Sequence, residues 1–119
     1  MILGFDAKRA FFNNTGLGNY SRDTIRILGQ YFSENEYHLY TPKEINNERL
    51  SFLEDKKHYK IHSPKTWFDR TFSSIWRTIK LKNNLVKDGI SHFHGLSHEL
   101  PYGIHNTNIK TVVSIHDLI

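Results

Sequence analysis

The sequence predicts an α/β fold, a parallel sheet with helices on both faces, formed by residues 1–119 as one domain. Three observations carry this. Short apolar runs recur along the chain, two longer stretches between them have the helical period, and Pro, Gly and Asn separate one kind from the other.

Ile2-Leu3-Gly4-Phe5-Asp6 is an apolar run ending in a carboxylate, as expected of a buried first strand. Ala7 to Thr15 reads as a polar loop with Asn13-Asn14 as turn formers. Gly16-Leu17-Gly18 opens a helix that runs to about Ser33. At ~100° per residue, Leu17, Tyr20, Leu28 and Tyr31 share one face, with Ile27 and Phe32 beside them and Arg22 and Arg26 pointing away. Tyr37 to Thr41 is a second strand stopped by Pro42. Lys43 to Lys57 is a loop or short helix, and Tyr59 to His62 a short third strand. Lys65 to Lys87 reads as one long amphipathic helix with Phe68, Phe72, Ile75, Ile79 and Val86 in its apolar stripe, ended by Asp88-Gly89. Ile90 to His94 is a fourth strand. Gly95 to Asn108 is a loop long enough for a short helix, and Lys110 to Ile115 a fifth strand running into His116-Asp117.

Composition narrows the function classes. There is no cysteine, so a disulfide framework, a thiolate nucleophile and a zinc-thiolate site are excluded. No apolar run reaches the ~20 residues of a transmembrane helix. Met1 to Phe5 is apolar but short, with Lys8 and Arg9 after it, the reverse of an export signal, and a cytoplasmic location is expected. The formal charge of +4 is modest and compatible with an anionic partner. Nucleic acid is not expected, since no reader motif is present.

Four constellations bear on chemistry. Gly16 and Gly18 at a helix start are either an anion site or a flexible turn. They do not make a dinucleotide fingerprint, because Ser21 stands at the third glycine position and no acid follows the second strand. His92 and His94, two apart on a strand, share a face near His98, but no carboxylate stands at a clear ligand spacing and no metal site is expected there. His116-Asp117 follows an apolar strand at the place where open parallel sheets bind ligands. A histidine there bonds sugar hydroxyls or phosphate or handles a proton; the alternative is a loop histidine whose Asp117 caps the next helix. Position favours function. Arg70, Arg77, Lys80 and Lys87 share a helix face flanked by Trp67 and Trp76, which is a solvated face or, less readily, a surface for an anionic membrane.

Two stretches together resemble a known family. Gly4-Phe5-Asp6-Ala7-Lys8-Arg9 followed by Thr15-Gly16-Leu17-Gly18-Asn19-Tyr20-Ser21-Arg22 is similar to the opening of family 4 retaining glycosyltransferases of the GT-B fold. His94-Gly95, Leu100-Pro101 and Thr111-Val112-Val113-Ser114-Ile115-His116-Asp117-Leu118 resemble the later motifs of bacterial members that transfer mannose or related sugars. The resemblance implies a Rossmann-like, acceptor-side half of a two-domain enzyme that moves a hexose from a nucleotide-sugar to a glycan or glycolipid in surface polysaccharide synthesis. It implies that Gly16 and Gly18 approach the donor diphosphate and that His116, with Asp117, lies at the reacting sugar. Lys8, Arg9, His94 and Glu99 are acceptor-binding candidates. No cofactor and no metal are implied, and the donor-binding domain lies outside these residues. A chain of this half alone is expected to be inactive. The alternative is a non-catalytic module that holds a phosphorylated ligand or an anionic membrane.

Overall fold

In the computed structural model, residues 1–54, 58–65, 72, 75–96 and 100–115 are described. Five parallel strands, β1 (Ile2–Asp6), β2 (Glu36–Tyr40), β3 (Tyr59–His62), β4 (His92–Gly95) and β5 (Lys110–Val113), form one sheet in the order β3-β2-β1-β4-β5. All-parallel pairing and this strand order, reversing beside β1, make the arrangement Rossmann-like.

Alternate residues of each strand serve opposite faces. On one face Phe5, Tyr37, Leu39 and Tyr59 pack with Ala10, Phe11 and Ile25 from helices α1 (Lys8–Phe12) and α2 (Gly16–Tyr31), and with Leu50 and Leu53 from the 3₁₀ turns at Glu48–Glu54. On the other face Tyr40 and Phe93 pack with Trp76, with Leu81 and Leu85 of α3 (Leu81–Lys87), and with Ile104. The stretch expected as a loop from Ala7 to Thr15 thus contains a helix. Phe11, 2% exposed, and Ala10, fully buried, anchor that turn to the core despite its polar neighbours.

Both helical faces differ from expectation. In α2 the inward positions are Gly18, Ser21, Arg22, Ile25 and Gly29, whereas Tyr20, Ile27 and Tyr31 of the expected stripe are exposed. The buried face is rotated from the apolar one by about a third of a turn. Small side chains decide this, because they let the helix lie close to the sheet. The Tyr59 hydroxyl, which donates to the Ile25 carbonyl at 3.2 Å, occupies the space a Cβ on Gly29 would need.

In the second helical stretch, Phe72, Ile75, Ile79 and Val86 are exposed, while Trp76, Leu81 and Leu85 are buried. Trp76–Lys80 is a π-helical turn in which the Leu81 N–H donates to the Trp76 carbonyl. The extra residue of that turn puts Trp76 and Leu81, five apart, on one face, so a stripe counted at the α period drifts off it. Gly89, at φ +74°, ends α3 in the left-handed conformation expected of a C-terminal glycine. Phe68, Arg70 and Trp67 lie outside the described residues.

Candidate functional site at the carboxyl ends of the strands

β1 is flanked by β2 on one side and β4 on the other, so the strand order reverses between β1 and β4. Crossovers leave in opposite directions there, opening a crevice beyond the carboxyl ends of the two strands. Asp6 ends β1 at this point and is 5% exposed. Its Oδ2 accepts from Arg77 Nη2 at 2.8 Å and its Oδ1 from the Lys8 N–H at 3.3 Å. The π turn delivers Arg77 to the crevice, turning it inward from a helix face that would otherwise be solvated.

On the β4 side, the His94 ring lies 5.8 Å from that of Phe5, and its Nε2 is 2.7 Å from Ser114 Oγ, just past β5. Ser114 Oγ is in turn 3.0 Å from the Tyr20 hydroxyl in the first turns of α2. Burial lowers the His94 pKa, so the ring is neutral at neutral pH and keeps one nitrogen as an acceptor. Tyr20, Ser114 and His94 therefore join the glycine-loop helix to the ends of β4 and β5.

The glycine loop is ordered by Asn13. Its Oδ1 accepts from the Thr15 N–H at 2.8 Å, the Thr15 hydroxyl at 2.6 Å and the Gly18 N–H at 3.1 Å. One side chain thus occupies part of the amide cluster that a helix start offers to an anion. The two glycines differ in purpose. A Cβ on Gly18 would overlap the Asn13 carbonyl oxygen, whereas one on Gly16 would meet open space. Gly18→Ala is expected to cost about 1–3 kcal/mol through forced displacement of backbone. Gly16→Ala, at a helical position free of clash, is expected to be neutral or to stabilise by up to about 1 kcal/mol. Urea unfolding of the two variants checks the contrast, and equal effects would remove the steric account of Gly18.

Of the candidate residues, Gly16, Gly18 and His94 lie at this end of the sheet, with Lys8 and Arg9 half-buried on α1 directly after β1. His116, Asp117, Glu99 and His98 lie outside the described residues. His92 contacts Ser91 Oγ at 2.9 Å, and among the described residues no third metal-type donor joins it and His94. Of the basic face read as solvated or, less readily, as a surface for an anionic membrane, Arg77 pairs with Asp6, and the flanking Trp76 is 3% exposed. No helix among the described residues is long and apolar enough to cross a membrane.

Sequence reasoning gave no site role to Asn13, read as a turn former, to Arg22, read as pointing away, to Arg77, read as part of a basic helix face, or to Ser114. Asn13 alone had a visible sign, as a cap-forming residue shortly before a helix. It also missed a polar cluster on the α3 side, where His38, 4% exposed, meets His62 and Asp88. Burial lowers the His62 pKa despite the nearby Asp88 carboxylate, and burial together with its bond to Asp88 raises that of Tyr40. Comparison with protein-family models, with curated proteins and with solved structures finds no match to this chain.

Proposed function

We propose that this chain is the acceptor-side domain of a retaining glycosyltransferase, moving a hexose such as mannose from a nucleotide-sugar to a glycan or glycolipid. The observation that carries the reading is the Tyr20–Ser114–His94 connection at the crevice, which draws the glycine-loop helix and the ends of β4 and β5 to one place. In the sequence, Ser114 is followed two residues on by His116-Asp117. The motif resemblance supports the same assignment from the sequence side.

In this reading the chain's own residues perform binding and charge stabilisation. Gly16, whose surroundings are open, is where a diphosphate comes close to the start of α2. His116 donates to the sugar near the breaking bond, and His94, Lys8, Arg9 and Glu99 hold the acceptor. Charge on the departing diphosphate must be met by fixed donors, the kind of stabilisation that dominates such reactions. The donor-side domain supplies the rest, and the reaction needs no metal at this crevice. Synthesis takes place on the cytoplasmic side, in peripheral contact with the membrane that presents a glycolipid acceptor.

The test uses the enzyme in which this domain is joined to a donor-side α/β domain bearing two glutamates with seven residues between them. His116→Ala there should lower turnover by about 10²–10³-fold, the usual loss for one donor aimed at developing charge. Unchanged turnover removes His116 from the site. Hexosyl transfer by the 119-residue chain alone would overturn the division of labour. Binding of a phosphorylated ligand without transfer by the joined protein would favour the non-catalytic module.

A further inference from the structure

We propose that His38, His62 and Asp88 form a zinc-type metal site on the α3 face of the sheet, independent of the sugar-transfer reading. The three donor atoms lie within 4.8 Å of one another. His38 Nδ1 is 2.7 Å from His62 Nε2, and His62 Nε2 is 3.9 Å from Asp88 Oδ2. Two ligands of a tetrahedral zinc, at metal distances of about 2.0–2.1 Å, stand about 3.3 Å apart. The observed separations bracket that value, so small side-chain rotations make room for an ion.

The surrounding bonds have the form that metal ligands require. Glu36 Oε1 lies 2.9 Å from His38 Nε2 and accepts from its N–H, which leaves the Nδ1 lone pair facing His62. The Tyr40 hydroxyl donates to Asp88 Oδ2 at 2.7 Å and fixes that carboxylate. In the metal-free state His62 Nε2–H donates to His38 Nδ1. When the ion takes that place, the His62 proton moves to Nδ1 and both imidazoles bind as neutral ligands.

The fold supplies each part from a different element. His38 is in the middle of β2, His62 ends β3, and Asp88 follows α3. All lie on the face that carries Tyr40 and Trp76. The two histidine ring planes are within 6° of parallel, and the Tyr40 ring lies 4.8 Å from that of His62, which restricts their rotation. A cavity of about 250 Å³ opens beside His62 and Asp88, bordered by Trp76, Asn84, Lys65 and Lys87. Two nitrogen donors and one carboxylate with an open neighbouring space match a three-ligand zinc site whose fourth position takes water or an anion. The lysines there favour an anion.

Binding is measured on the untagged 119-residue chain with zinc by calorimetry and with Co(II) by visible absorption. One equivalent of zinc and a tetrahedral Co(II) spectrum are expected, and zinc should shift the His38 and His62 imidazole resonances in NMR of the unaltered chain. His62→Ala and Asp88→Asn should abolish both signals, and Glu36→Gln should weaken zinc binding by about 10–100-fold. His105→Ala, at an exposed position outside the cluster, should leave binding unchanged. Circular dichroism of each metal-free variant checks that it is folded, and the NMR shifts need no variant. Absence of one-equivalent binding, or binding that persists in both His62→Ala and Asp88→Asn, overturns the site. Imidazole shifts confined to other histidines do the same.

Discussion

Arg77→Met should lower the unfolding free energy by about 3–5 kcal/mol, the usual cost of stripping one partner from a buried ion pair. The Asp6 and Arg77 side chains are 7% and 12% exposed, with 2.8 Å between Oδ2 and Nη2. Methionine keeps much of the arginine volume, so the loss reports on charge rather than on a cavity. What remains is a carboxylate in a nearly dry setting, still bonded to the Lys8 N–H but without its cation. Asp6→Asn removes the carboxylate that Arg77 Nη2 meets at 2.8 Å. The double variant should therefore be more stable than the sum of the single losses predicts, because removing both partners leaves no isolated charge. Urea unfolding of all four proteins measures the coupling. A coupling near zero would mean that the pair adds nothing beyond packing. Since Asp6 ends β1 and Arg77 lies in the π turn, the same variants should loosen the crevice before the sheet itself opens.

Arg22→Met should cost about 3 kcal/mol, because charge-assisted hydrogen bonds contribute about 1.5–3 kcal/mol each and are not additive. Arg22 is 4% exposed. Its Nη1 donates to the Ala10 carbonyl at 2.9 Å and the Asn13 carbonyl at 2.6 Å, and its Nη2 to Asn19 Oδ1 at 2.7 Å. Burial pushes the Arg22 pKa down, so these acceptors must offset the lost hydration of the charge. Arg22→Lys should recover only part of the loss, since one ammonium cannot span acceptors that a planar fork reaches together. Hydrogen exchange should rise first over residues 10–18, where Arg22 and Asn13 tie the end of α1 to the glycine loop. Protection unchanged in that segment would show that the loop is held by other contacts.

The elements most legible in the sequence were those whose signal is local. Tyr59–His62 begins and ends where its alternation and the following Ser63-Pro64 place it, and β1 matches its apolar run. Gly89 announces the end of α3 because few other residues tolerate its positive φ. Strand ends elsewhere moved by one or two residues, since pairing with a neighbour, rather than composition, decides where a strand stops. Helix faces were less legible. Hydrophobic periodicity pointed to Tyr20 and Tyr31 in α2, but close approach to the sheet selects the small residues Gly18, Ser21 and Gly29. The π turn at Trp76–Lys80 carries no compositional mark at all.

By itself the sequence determined the class of fold, the alternation of strands and helices, and the end of the sheet at which the glycine loop and His94 lie. Local propensity and periodicity are enough for that, because they depend on neighbours along the chain. Only the tertiary structure decided the partners of the charges. Asp6 meets Arg77 across 71 positions of sequence, Arg22 turns inward to two carbonyls, and His38 meets His62 and Asp88. Such pairings follow from the way three elements converge on one face, and burial then obliges each charge to find a partner.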